Sequence, residues 1–145
     1  MATKVQTVLL TGGSSGIGAE TARLLALAGF KVYAGSRRGT VSEECAAMDN
    51  VVPVVLDVNN QESVDTAVAD ILAKEGHIDA VVCNAGNGIA GAVENTTVDE
   101  AKYQFETCFF GAHRVIRPSS EKARTGCTRS SPATMTKPSE FMSTT

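Results

Sequence analysis

From Thr11 to Gly18 the chain reads Thr-Gly-Gly-Ser-Ser-Gly-Ile-Gly, four glycines in eight residues, directly after the apolar run Val8-Leu9-Leu10. Glycines tolerate positive φ and let a ligand approach the backbone, and the free N–H groups of a helix's first turn then face whatever sits in the crook. A phosphate suits such a turn. Three chemistries share the pattern. A P-loop needs Lys and Ser/Thr after its last glycines to reach the phosphates and a magnesium ion, and Ala19 and Glu20 stand there instead, which excludes it. A nucleophile elbow is satisfied by Gly12-Gly13-Ser14-Ser15-Gly16, with Asp79 or Asp99 and then His113 as its only partners in the right order. His113 falls on the flank of a helix stripe, where the plain reading is a surface histidine.

The third chemistry is a dinucleotide turn of the form T-G-x-x-x-G-x-G. About 20 residues beyond such a turn, an NAD site places a carboxylate on the ribose 2′-hydroxyl. Here that stretch holds Ser36-Arg37-Arg38. An arginine fork suits a 2′-phosphate. Alone, the two arginines read equally as a solvated pair after a strand; in register with the glycine turn they favour NADP.

These residues need elements to position them. Gln6 to Leu10 reads as a buried strand, and Ile17, Thr21, Leu24, Leu25 and Ala28 recur at helical spacing up to Gly29, a left-handed cap. Lys31 to Ala34 is a second strand, followed by a short polar helix around Ser42 to Met48. Val51 to Leu56 is a third strand of continuous apolar character, in which Pro53 implies either that the strand lies at the sheet edge or that the proline faces away from pairing. Asn59 and Glu62 form a capping pair for a helix whose Val64, Ala67, Val68, Ile71 and Leu72 share one face, and Gly76 closes it. Ile78 to Cys83 is a fourth strand, ending in the second glycine turn, Asn84-Ala85-Gly86-Asn87-Gly88. Thr97 and Glu100 make a capping box for a long helix with an apolar stripe of Ala101, Phe105, Cys108, Phe109, Ala112 and Ile116, and Pro118 stops it. Strands alternating with helices imply an α/β fold with a parallel, right-handed sheet.

Thr11-Gly12-x-x-x-Gly16-x-Gly18, Asp57 after the third strand and Asn84-Ala85-Gly86 after the fourth together resemble the short-chain dehydrogenase/reductase family. The resemblance runs from Lys4 to about Arg117. It implies a Rossmann-type parallel sheet with flanking helices, here the first four strands in the order 3-2-1-4, over residues 1–117. It further implies that Gly12, Ser14, Ser15 and Ile17 line the pyrophosphate and adenosine ribose and that Arg37 meets the 2′-phosphate of NADP. Asp57 and the Val58 backbone hold adenine, and Asn84, Ala85 and Gly86 border the ribose on the nicotinamide side. Milder readings stand beside these: Asp57 caps a turn, and Asn84 ties neighbouring strands together. The family transfers hydride between NAD(P) and carbonyls or alcohols, among them steroids, retinoids and lipid-like alcohols, with a Tyr-x-x-x-Lys pair and an upstream Ser handling the proton. Here Tyr33 is followed four residues on by Arg37 and Tyr103 by Thr107. The family's asparagine in the long helix matches Cys108, which reads as a small buried residue.

After Arg117 the character changes to a Ser- and Thr-rich stretch, residues 118–145, without helical or strand periodicity, which reads as a disordered tail. Its abrupt start in mid-helix suggests a frame change or an alternative exon. The whole has 145 residues, 43% of them hydrophobic, enough for one domain. A net charge of -3 without a basic stripe argues against a nucleic-acid partner. No apolar run approaches the roughly 20 residues of a membrane span, nor is there a signal-peptide pattern, so a cytoplasmic chain is expected. Scattered Cys45, Cys83, Cys108 and Cys127 suggest free thiols rather than a zinc site or disulfides. Two functions follow. One is an NADP-dependent oxidoreductase in truncated form, lacking the catalytic pair. The other is a non-catalytic nucleotide-binding remnant or an interaction module that self-associates through the exposed edge of the fourth strand.

Overall fold

The computed structural model describes residues 5–125. Strands β1 (Thr7–Thr11), β2 (Lys31–Ser36), β3 (Val51–Val55) and β4 (Ala80–Cys83) form one parallel sheet in the order β3-β2-β1-β4. Crossovers run through helices α1 (Gly16–Leu27), α2 (Glu43–Ala46) and α3 (Gln61–Glu75). A 3₁₀ turn at Val93–Asn95 then leads to α4 (Val98–Phe105), a π-helical segment (Glu106–Phe110) and α5 (Gly111–Thr125), which follow one another without a break. The expected fold class and strand order are both present.

Alternation along β1 builds a core on each face of the sheet. Leu9 joins Tyr33, Val64, Val68, Ile71 and Val115 beneath α3 and α5, while Leu10 joins Ala22, Ala26, Val32, Ala34 and Cys45 beneath α1 and α2. Each fully buried Leu or Val stabilises the fold by about 1.5–3 kcal/mol. The continuous apolar reading of β3 is tempered by its place: as an outer strand it buries Val51 but leaves Val55 exposed, in keeping with Pro53.

Several local expectations are corrected. Helix α1 fully buries its small residues Gly18, Ala22 and Ala26, while Leu25 of the expected stripe is only partly buried and Ile17 and Leu24 face outward. The helix lies too close to the sheet for bulkier side chains on that face. The cap of α3 is Asn60, whose side chain accepts from the Ser63 N–H, one residue later than expected. Gly76 ends α3 at φ 76°, and the Thr97–Glu100 capping box is present. Pro118 does not stop the long helix. Proline forfeits one backbone donor, but Val115 and Ser119 on either side are buried and Ser119 Oγ donates to the Val115 carbonyl at 2.7 Å, so packing carries α5 past it. Residues 126–145 of the expected tail, Cys127 among them, lie outside the described residues; Cys45, Cys83 and Cys108 are free thiols.

The π segment, one extra residue per turn, rotates the long helix. Its buried positions are Gly111, Val115 and Ser119, and Phe105, Phe109 and Ile116 of the expected stripe are exposed. Among the described residues no helix is long and apolar enough to cross a membrane.

One polar cluster tethers β2 to α3. Tyr33, 2% exposed, donates from Oη to Glu75 Oε1 at 2.5 Å, and Lys31 Nζ lies 2.6 Å from the same oxygen. The hydrogen bonds from Lys31 first, then Tyr33, hold the Glu75 carboxyl below its usual range, and burial pushes the Tyr33 phenol up. Because the folded carboxyl holds its proton less tightly than the unfolded one, stability from Glu75 is complete above the unfolded value near 4.5 and is lost as pH falls through the folded value. Replacing Glu75→Gln should lower stability at neutral pH and change it little once pH is below the folded value, which flattens the acid limb of the profile; urea midpoints measured from pH 7 downward check this.

Candidate functional site

The carboxyl ends of all four strands open into one cleft of about 370 Å³. From β1 come Gly12, Ser14, Ser15, Ile17 and Gly18; from β2, Ser36 and Arg37; from β3, Leu56, Asp57, Val58 and Asn59; from β4, Asn84, Ala85, Gly86 and Asn87. Tyr103 of α4 and Thr107 of the π segment close one side. All ten residues singled out in the sequence line this cleft. Arg38 is exposed and does not line it.

Short-range geometry explains why the cleft has this shape. Gly12 (φ 71°) turns the chain out of β1, and a Cβ there would lie 2.9 Å from Ala85 Cα and Asn84 Nδ2. At Gly18 a Cβ would stand 2.0 Å from the Gly12 carbonyl oxygen and 2.5 Å from Asn84 Nδ2. Only a residue without a side chain lets α1 start this close to the strand. Ser15 is the N-cap of α1 but makes no side-chain cap bond, and the first turn holds no acidic residue. The helix therefore presents its N–H groups and positive dipole end to the cleft, an arrangement suited to an anion.

Asn84 fastens the two central turns. Its Nδ2 donates to the carbonyls of Thr11 and Gly12 at 3.1 Å each, and Thr11 Oγ1 accepts from the backbone N–H groups of Asn84 (3.1 Å) and Ala85 (3.0 Å). The milder reading of Asn84 as a tie between strands is thus physically present. Asp57 likewise organises its own turn, accepting from Asn59 N–H at 2.9 Å. Arg37 extends from a loop that Ser36 closes by donating to the Thr40 carbonyl and accepting from the Thr40 N–H, both at 3.0 Å.

The expectation of a buried Cys108 is corrected. The π turn swings it to the cleft end near the second glycine turn, where it is exposed, donates from Sγ to the Asn87 carbonyl at 3.5 Å and would touch a Cβ on Gly86 at 3.3 Å. The nucleophile elbow finds no triad. Asp79 sits at the opposite end of β1, accepting from Thr7 N–H and pairing with His77 at 3.1 Å, and Asp99 is exposed beside Lys102. Thr7 begins β1 and the serines follow its far end, so the whole strand, roughly 13 Å from Thr7 to Thr11, lies between Asp79 and the serines.

Sequence reasoning missed Gly18, Ser36, Leu56, Asn59, Asn87, Tyr103 and Thr107 as lining residues. Most flank a recognised motif and adjacency would have found them. Tyr103 and Thr107 enter only because the long helix folds back across the strand ends, which no local signal announces.

A family model described as short chain dehydrogenase matches residues 6–125. The 3-ketodihydrosphingosine reductase of Bacteroides thetaiotaomicron is 39% identical over 124 residues, 83% of this chain and 44% of that protein. A crystal structure of a short-chain dehydrogenase from Streptomyces avermitilis superposes with a TM-score of 0.77 and 34% identity, over 86% of this chain and 47% of that one. An actinorhodin polyketide ketoreductase solved with NADPH superposes with a TM-score of 0.75 and 29% identity, over 85% of this chain and 49% of that one. The chain spans about two fifths of the length of the curated relatives it matches.

Two substitutions test how the cleft is held. Thr11→Val keeps the shape but strips the acceptor from two backbone N–H groups, and should cost about 1–3 kcal/mol in urea unfolding. Gly18→Ala forces the Gly12 carbonyl and Asn84 apart and should cost more than about 2 kcal/mol; full retention of wild-type stability by it would contradict the close approach described above.

Proposed function

Because the chain belongs to the short-chain dehydrogenase family, we propose that its cleft binds NADP and that the chain derives from an oxidoreductase acting on carbonyls or alcohols. The observation that carries this reading is the convergence of Gly12, Ser14, Ser15, Ile17, Arg37, Asp57, Val58, Asn84, Ala85 and Gly86 on a single cleft. The residues fit the group: Gly12 and Gly18 let the amino end of α1 pack directly against the end of β1, and that end, with no side-chain cap and no acidic residue in its first turn, faces the cleft.

In this reading the pyrophosphate lies over Gly12, Ser14 and Ser15 against α1, with Ile17 beside the adenosine ribose. Arg37 pairs with the 2′-phosphate, where an NAD site would have a carboxylate. Asp57 and the Val58 backbone hold the adenine edge, and Asn84, Ala85 and Gly86 border the second ribose. The bound dinucleotide supplies the hydride. For the accompanying proton a group of suitable pKa must be positioned at the substrate oxygen. These 145 residues contain no Tyr-x-x-x-Lys pair, since Arg37 and Thr107 follow the two tyrosines at that spacing. Cys108, at the position matching the family's helix asparagine, has a thiol and no amide. The reading for the chain by itself is therefore dinucleotide binding without turnover.

A second reading is favoured by the sheet edge. Among the described residues β4 pairs with β1 alone, and its residues Ala80 and Cys83 are exposed. An exposed parallel edge is a template for another strand, so an interaction module that pairs there, with a second copy or another chain, is the alternative to a nucleotide-binding remnant. We place the chain in the cytoplasm on this reading.

Titration with NADPH and NADH, followed by thermal unfolding and then by a turnover assay with a generic ketone, separates these outcomes. NADPH should stabilise the chain more than NADH does, and no ketone should be consumed. Arg37→Ala should weaken NADPH binding by about tenfold or more, the worth of a charge-assisted hydrogen bond, and leave NADH unaffected. An equal loss for both nucleotides contradicts the role given to Arg37. Turnover by the wild-type chain contradicts the need for the missing pair, and binding of neither nucleotide leaves the interaction module.

A further inference from the structure

The turn after β3 is anchored to an element that sequence gives no reason to connect with it. Asn59 Nδ2 donates to Thr107 Oγ1 at 3.0 Å, and Arg114 Nη1 donates to the Val58 carbonyl at 3.2 Å. Gly111 lies so close that a Cβ there would stand 2.9 Å from Val58 Cγ2. Thr107 and Arg114 stand on either side of the π segment's end, and Arg114 Nη2 also pairs with Glu106 at the segment's start. Eight residues of helix separate that pair, roughly 12 Å along an α-helical axis, so the ion pair straddles the irregular stretch.

The polarity of these bonds is fixed. Thr107 Oγ1 donates its single hydrogen to the Tyr103 carbonyl at 3.2 Å, so toward Asn59 it only accepts. That orients the Asn59 carboxamide with Nδ2 toward Thr107 and leaves its buried Oδ1 without a partner. On the other side the turn is held by its own residues and by α3, through Asp57 Oδ1 with Asn59 N–H and Ser63 Oγ with Asp57 N–H. β3 lends little further support, being an outer strand.

We propose that Thr107 and Arg114 are positioning residues: working from the π segment, they clamp the Asp57–Asn59 turn and so set the shape of the cleft wall that receives the adenine end of a dinucleotide. The ligand part of this inference rests on the function proposed above; the clamp does not. Neither residue needs to touch the reacting atoms. The π turn is then the device that aims one helix at both ends of the cleft, Thr107 at the β3 turn and Cys108 at Asn87.

The test uses the full chain with Thr107→Val, which keeps the shape and loses the hydroxyl, and Thr107→Ser, which restores it. Amide hydrogen exchange is followed at residues 57–60 and, as reference, along β1 and β2. Thr107→Val should speed exchange at 57–60 by about five- to tenfold, one hydrogen bond's worth, with the reference strands unchanged. It should weaken NADPH binding by a similar factor, and Thr107→Ser should return both to wild type. A uniform rise over turn and strands alike, or no rise at the turn, overturns the clamp. Localised exchange with unaltered NADPH affinity overturns its link to the adenine wall. If the wild-type chain binds no NADPH, the dinucleotide reading falls, and the clamp stands or falls on the exchange pattern alone.

Discussion

Everything at the carboxyl end of the sheet depends on how closely Gly18 lies against the Gly12 carbonyl, a distance that would shrink to 2.0 Å from any Cβ placed there. This approach draws the amino end of α1 onto the end of β1. It leaves room for Asn84 Nδ2 to bridge the Thr11 and Gly12 carbonyls, so that the turns after β1 and β4 become one rigid piece. The small buried face of α1, Gly18, Ala22 and Ala26, continues the same constraint down the helix. A larger residue anywhere on that face would lift the helix, and with it the N–H groups that point into the cleft.

The rest of the molecule divides between well-covered and uncovered surfaces. β1 and β2 are buried along nearly their whole length, and the two cores meet across them. At the flanks cover is thin: β4 has exposed ends, and the long helix turns Phe105, Phe109, Phe110 and Ile116 outward. Apolar surface of that size on one helix is costly to leave in water. The helix that carries it packs against both α3 and the edge strand β4. The tightly tied strand ends thus stand beside thinly covered surface on β4 and the long helix.

Much of this arrangement was legible in the sequence. Strand alternation and the caps at Gly76 and Thr97 rest on local chemistry, Pro53 left the outer position of β3 as one of two readings, the four-strand order came with the family resemblance, and the structure contains them all. The residues that line the cleft were legible because each belongs to a turn at a strand's end or to the first turn of the helix that follows it. The faces of two helices were not. Periodicity counts apolar residues and so assigned Leu24 and Phe105 to the interior, whereas close packing selected the small positions of α1 and the π insertion rotated α4 and α5 relative to each other. A single inserted residue per turn is invisible to a pattern of fixed period. The persistence of α5 through Pro118 has the same origin: burial of Val115 and Ser119 outweighs a lost donor.

The opening stretch Thr11 to Gly18 thus determined by itself that the chain makes a strand, a glycine turn and a helix whose amino end suits an anion, because those properties follow from missing side chains and unpaired N–H groups within a dozen residues. Arg37, Asp57 and Asn84 could be added by their place after successive strands. Only the tertiary structure decided that these turns share one cleft, that Tyr103 and Thr107 complete its wall, and that Thr107 and Arg114 hold the Asp57–Asn59 turn. Those contacts join residues about 50 positions apart. They are set by how the long helix crosses the sheet, which depends on packing summed over the whole fold and not on any local run of residues.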